Sequence, residues 1–179
     1  MQTTTEKQIK MFDTLKKQFG YTNKMQTPKL TKIVVAAKVG SMKEKNKIEL
    51  VIDRLAQITG QKPKANVAKK SIATFKLREG TVIGHSVTLR GKRMGDFLDK
   101  LIHIALPRTR DFRGLNVSGI DEMGNYSIGI KEHTIFPEAA DEELRDVFGF
   151  GITFVTTAKT KEEAEALLRE LGLPIKKEE

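Results

Sequence analysis

The chain has no cysteine in its 179 residues, which excludes a disulfide framework, a thiolate nucleophile and a cysteine-based metal site. No apolar run approaches the length of a membrane span, and no N-terminal apolar segment resembles a signal peptide. The expected location is therefore the cytoplasm, with no membrane partner. His85, His103 and His133 have no metal-ligand spacing, so no metal is expected. Ser71 and Ser86 lack a G-x-S-x-G setting and an obvious base. Gly91-Lys92-Arg93 lacks the preceding glycine and the following Ser or Thr of a phosphate-binding loop. Asp96 with Asp99, and Asp141 with Glu142 and Glu143, read as a solvated helix face and a helix start. With nucleophile, metal site and nucleotide loop all missing, neither catalysis nor a cofactor is expected.

Acidic residues are scarce in one stretch above all. Lys62 to Arg93 holds Lys62, Lys64, Lys69, Lys70, Lys76, Arg78, Arg90, Lys92 and Arg93 against Glu79 alone, a local balance of +8, close to the +9 of the whole protein. Between Val67 and Gly91 these cations alternate with apolar side chains and glycines. A hairpin charged only for solubility would have a similar composition. Eight net charges held this close repel one another unless an anion relieves them, and that favours contact with phosphates. The imbalance extends along the chain: residues 1–113 carry 25 bases and 9 acids (+16), residues 114–179 carry 7 and 14 (−7). One half suits a polyanion, and the other suits water or a basic protein.

At 39% apolar and 31% charged residues, the composition is that of a soluble globular chain. Its length suits one domain, 1–179, with an elaborated basic loop at about 68–80. Residues 5–19 place Ile9, Phe12, Leu15 and Phe19 at helical spacing, with Gly20 as the stop and Lys7, Lys10, Lys16 and Lys17 outward. Residues 30–37 read as a strand. Residues 44–59 form a helix whose Ile48, Val51, Ile52, Leu55 and Ile58 face the core. The segment 68–80 has no helical stripe and reads as a long loop presenting Lys69, Lys70, Lys76 and Arg78 to solvent, while 81–90 has the β-branched character of a strand. A helix over 94–105 ends at Pro107, followed by an arginine-rich loop to Gly114. Residues 125–136 alternate as strand or hairpin, and 150–157 form a further strand. Thr160 and Glu163 mark a capping box for the last helix, which Gly172 and Pro174 stop. The predicted class is α+β: an antiparallel sheet with helices on one face, the other face open for a ligand.

Five ordered blocks then point to a family: AKKSIATFKLREG, VTLRGKRMGDFLDKLI, ALPRTRDFRGL, GNYSIGIKEHTIFPE and VTTAKTKEEAEALL. Together, over nearly all of the chain from Phe19 onwards, they resemble the fifth protein of the bacterial large ribosomal subunit, which binds 5S ribosomal RNA. One departure stands after the first strand, where the family's Asn-Met-Gly-Val-Gly turn is replaced by Ala36-Ala37-Lys38-Val39-Gly40. The family's asparagine contact is therefore not expected here, and Lys38 is expected to stand in for it by charge.

The resemblance implies a structural protein of the central protuberance that anchors 5S RNA to large-subunit RNA beside neighbouring large-subunit proteins. It further implies a basic loop reaching the peptidyl-site transfer RNA and a contact with a small-subunit head protein. Recognition of folded RNA should proceed by shape, phosphates, 2′-hydroxyls and splayed bases. Lys29, Lys32, Lys38, Lys62, Lys64, Arg90 and Lys92 are expected at the ribosomal RNA, and Lys69, Lys70, Lys76 and Arg78 at the transfer RNA. Arg108, Arg110, Phe112 and Arg113, with Asp141, Glu142, Glu143 and Asp146, are expected at the small subunit. A free RNA-binding regulator or an assembly chaperone using the same basic surface is the alternative.

Overall fold

The structure, a computed structural model, describes residues 4–40, 42, 44–139 and 147–176, and side chains from residue 11 onwards. Strands form where β-branched and aromatic residues alternate with smaller or polar ones. In β5, Phe150–Thr156, the residues Phe150, Ile152, Phe154 and Thr156 are buried and those between are half-buried. β1, Leu30–Lys38, buries Ile33, Val35 and Ala37, and β3, Val82–Leu89, buries His85, Val87 and Leu89. With β2, Lys64–Val67, and β4, Tyr126–Ile130, they form one antiparallel sheet in the order β2-β3-β1-β5-β4. Among the described residues four α-helices complete the α+β fold: α1 Thr4–Phe19, α2 Lys45–Thr59, α3 Gly91–Lys100 and α4 Lys161–Leu171.

β3 lies close against β1 because position 84 carries no side chain. A Cβ on Gly84 would sit 2.8 Å from the Ala37 carbonyl oxygen, and beyond it the Val39 and Gly40 amides both donate to the Ile83 carbonyl at 3.0 and 3.1 Å. This is where the chain departs from the family's expected turn. Here Ala36 to Lys38 simply continue the strand.

The chain divides into two compact units. The first comprises Met1–Ile33, Leu89–Ile128 and Thr153–Glu179. In it α1 packs against α3 and α4 over buried Met11, Leu15, Phe97, Leu98, Leu167 and Leu168. The buried stripe of α1 is rotated from the expected one, since Met11 and Leu15 go in while Phe12 and Phe19 stay half-buried. The two rings find other partners: the Lys16 ammonium lies 5.5 Å from the centre of Phe12, and Phe19 stacks on Tyr21 at 5.8 Å. α3 starts at Gly91, ahead of the expected residue 94, and its last turn widens into a π turn, Leu101–Ala105, before Pro107.

Glu163 completes the start of α4 in a way the capping-box pattern does not anticipate. Its amide donates to Thr160 Oγ1 at 3.3 Å as expected, but its carboxylate accepts from the Lys159 amide (2.9 Å) and the Tyr21 hydroxyl (2.8 Å). Burial, then the bond to Glu163, raise the Tyr21 pKa well above its ordinary value.

The second unit comprises Val34–Thr88 and Gly129–Ile152. α2 buries Val51, Leu55 and Ile58 and ends at Gly60, whose φ of 68° lets its amide turn back to Ala56. β4 stops at Ile130, short of the expected 136, and the chain continues through 3-10 turns at His133–Ile135 and Pro137–Ala139. The cause is buried His133: its amide donates to the Phe148 carbonyl at 3.1 Å and its Nδ1 accepts the Phe148 amide at 3.3 Å, with the two rings stacked at 4.3 Å. That pairing takes the backbone away from a ladder.

Candidate nucleic-acid interface

In the second unit, β2 and β3 form an antiparallel hairpin with Lys64 opposite Ser86 and Asn66 opposite Gly84. Since alternate residues face opposite ways, the burial of His85 and Val87 turns Ser86 and Thr88 to the other face, with Lys64 and Asn66 beside them. Ser86 Oγ donates to Asn66 Oδ1 at 3.2 Å, leaving the amide nitrogen of Asn66 available as a donor. Lys38, at the end of β1, is exposed, and Gly84 separates that strand from Asn66. The result is a polar patch of lysine, hydroxyl and carboxamide groups able to bind phosphates and 2′-hydroxyls together.

The residues expected as a long loop carry pairing of their own. Ala68 and Thr81 close the neck, with the Ala68 amide donating to Thr81 at 2.9 Å and the Gly80 amide to Ala68 at 3.0 Å. Further out, Ile72 and Leu77 exchange two backbone hydrogen bonds, of 3.0 and 3.1 Å, around a 3-10 turn at Ala73–Phe75. Lys76 turns the corner at φ 50°. Ser71 Oγ accepts the Glu79 amide at 2.9 Å. Lys69, Lys70, Lys76 and Arg78 are all exposed.

In the first unit, Lys29 is exposed just ahead of β1 and Lys32 half-buried on it. Their backbone is tied to the chain around β5: the Lys29 amide donates to Thr157 Oγ1 at 2.9 Å and the Thr31 hydroxyl to the Val155 carbonyl at 2.6 Å. Arg90 is the N-cap of α3, and Lys92 and Arg93 occupy its first turn, all exposed. Cations are the wrong charge for that position, because free amides and the helix dipole already make a helix start positive. An anion placed there meets both the dipole and the three side chains. α4 follows the ordinary preference, with Glu162 and Glu163 in its first turn. Among the described residues, no salt bridge neutralises any of these cations in either unit.

Arg108, Arg110 and Arg113 are exposed on the loop after the π turn, with Phe112 half-buried among them. The loop turns at Asp111 (φ 53°) and Gly114 (φ 96°). Beyond it, the Leu115 amide donates to the Pro174 carbonyl at 2.8 Å, and the Lys176 amide to the Leu115 carbonyl at 2.9 Å. Asp141, Glu142, Glu143 and Asp146 lie outside the described residues. Among the described residues no group of three or more histidines and acids could hold a metal ion, and no helix is long and apolar enough to cross a membrane.

Arg93 and the Asn66–Ser86 pair are absent from the expected site residues. The signal for Arg93 is its place three residues after Arg90, but a helix start set at residue 94 hides it. Asn66 carries no signal, because a four-residue strand inside a charged run has too few positions to show a period.

The chain matches the family described as "Ribosomal protein L5" over residues 23–78, and the C-terminal part of the same ribosomal family over residues 82–175. Among curated proteins it is 51% identical over 173 residues to the large ribosomal subunit protein uL5 of Flavobacterium johnsoniae, covering 96% of this chain and 94% of that one. It is 54% identical over 164 residues to the uL5 of Desulfotalea psychrophila, covering 91% and 92%. A large ribosomal subunit protein uL5c from Cyanidium caldarium is 52% identical over 164 residues, covering 90% of each chain. With both parts of the family description matched in order and half the residues shared with relatives of nearly equal length, the chain belongs to the uL5 family of large ribosomal subunit proteins.

Proposed function

We propose that this large-subunit ribosomal protein, a structural constituent and not an enzyme, binds 5S ribosomal RNA and helps anchor it in the central protuberance. The observation that carries the reading is the set of exposed cations without ion pairs at Lys38, Lys62 and Lys64 in one unit and Lys29, Arg90, Lys92 and Arg93 in the other. Lys38 and Lys64 lie on strands, Lys62 and Lys29 just ahead of β2 and β1, and Arg90, Lys92 and Arg93 at a helix start, so each group presents charge at a spacing set by regular backbone. Fixed spacing distinguishes a surface that reads RNA shape from a tail that merely attracts phosphate. In the same reading the 68–80 hairpin contacts the peptidyl-site transfer RNA, and the Arg108 to Gly114 loop meets a small-subunit head protein across the interface.

A salt series of binding titrations tests this, with purified protein, 5S RNA, and transfer RNA and an unrelated structured RNA as competitors. The expected result is that 5S RNA wins and part of its affinity survives high salt. Charge reversal at Arg90 and Lys92 should weaken 5S binding and flatten its salt slope by roughly 0.7 to 0.9 log units per log unit of salt for each phosphate no longer neutralised. Replacing Lys69, Lys70, Lys76 and Arg78 with alanine should leave 5S binding intact and weaken contact with ribosome-bound transfer RNA. Equal binding of all three RNAs, vanishing with salt, would make the surface a generic polyanion site and favour a free assembly chaperone.

A further inference from the structure

The tip of the 68–80 hairpin leaves apolar surface uncovered. Phe75 is 75% exposed and Ile72 42% exposed. A lone exposed phenyl ring is ordinary on a protein surface, but this one sits in an unusual setting. Its backbone is held by the paired Ile72 and Leu77 and by the 3-10 turn that ends on it. The next residue, Lys76, sits at φ 50°, a left-handed conformation that a side-chain-bearing residue adopts only at an energetic cost. The turn therefore holds the backbone that carries the ring in place at the exposed tip, at a conformational cost that a relaxed loop would avoid.

The charges around the ring identify the kind of surface that would cover it. Lys69, Lys70, Lys76 and Arg78 are exposed without ion pairs, and Glu79 is the only acid in the hairpin. A protein partner would call for a broader apolar patch and mixed charge. A single aromatic ring set among cations matches a nucleotide, whose base offers a flat π face and whose backbone offers phosphates.

We propose that Phe75 stacks on an unpaired base of the RNA this hairpin meets, while the four cations hold the flanking phosphates. The proposal rests on the reading of the hairpin as the surface facing transfer RNA. A base in a continuous helix has no free face to offer, so the ring selects looped or splayed RNA, whereas the cations alone would accept any phosphate backbone.

Ribosomes reconstituted with the full-length chain, carrying Phe75→Leu, Phe75→Trp or the fourfold alanine replacement of the cations, would be titrated with deacylated transfer RNA at the peptidyl site over a series of salt concentrations. Leucine keeps apolar bulk and removes the π face. Phe75→Leu should weaken binding by roughly 5- to 100-fold with an unchanged salt slope, and Phe75→Trp should retain affinity. The fourfold variant should flatten the slope. Unchanged affinity in Phe75→Leu, with a clear loss in the fourfold variant, overturns the stacking while leaving transfer RNA as the hairpin's partner. Unchanged affinity in both overturns the stacking together with the reading beneath it. A Phe75→Leu defect confined to joining of the small subunit assigns the ring to a protein contact and overturns the proposal as well.

Discussion

His85 is 5% exposed on β3, and neither ring nitrogen has a hydrogen-bond partner among the described residues. Burial lowers its pKa below the ordinary 6.5, because a charged imidazole there would lose its hydration without gaining a bond. The folded state then binds fewer protons than the unfolded one once pH falls below about 6.5, so the stability this neutral ring permits is lost as pH drops through that region. The native protein should lose stability between about pH 7 and pH 5, and a His85→Leu variant should lose less over the same interval. Leucine also removes two unsatisfied buried nitrogens, so at neutral pH the variant should be as stable as the native protein or more so. Urea unfolding of both proteins across that range is the measurement, and parallel curves would sink the argument. Nothing near residue 85 in the sequence distinguishes this buried histidine from one serving the basic surface. Its alternation with Val87 and Leu89 becomes decisive only when the buried face of β3 is known.

The start of α4 shows how an element can be read correctly from a pattern and still be wired differently. Thr160 accepts the Glu163 amide as the pattern requires, but the Glu163 carboxylate serves Lys159 and, across 142 residues, Tyr21. Local spacing makes the cap visible, whereas a partner that far along the chain leaves no local trace. Thr160→Ala should cost about 1 kcal/mol of stability, seen as a lower urea midpoint at unchanged slope. A variant as stable as the native protein would show that Glu163, held by Tyr21, starts the helix without Thr160. The 68–80 hairpin raises the same issue. Its composition announces exposure and charge, while the bond exchange between Ile72 and Leu77 depends on the neck being closed by Ala68 and Thr81. A chain region without hydrophobic periodicity looks like a loop even where its backbone is paired.

At the scale of the whole molecule, the division of charge at residue 113, +16 before and −7 after, has a consequence for the protein without RNA. Within each unit the cations of the 62–93 stretch repel one another, with no salt bridge among the described residues to relieve them. Raising ionic strength from about 0.01 M to about 0.15 M shortens the screening length from roughly 30 Å to roughly 8 Å, and the RNA-free protein should become more stable as that repulsion fades. Its thermal midpoint should therefore rise with added salt, and rise less in the variant lacking Lys69, Lys70, Lys76 and Arg78. A midpoint falling with salt would mean that attractive pairs, and not repulsion, dominate this surface. Ribosomal RNA, as the polyanion expected to bind here, would relieve the same repulsion.

The sequence by itself determined the basic character of the 62–93 stretch, the helices over 5–19, 44–59, 94–105 and after Thr160, and the strands at 30–37, 81–90 and 150–157, because these rest on charge density and on periodicity within ten or fifteen consecutive residues. It also carried the family, through five blocks in order. Only the tertiary structure decided that Met11 and not Phe12 enters the core, that His133 ends β4 by pairing with Phe148, and that Asn66 joins Ser86 on a polar face. Each of these depends on which distant backbone lies alongside. Burial and register are properties of a pair of segments, and one segment alone does not contain them.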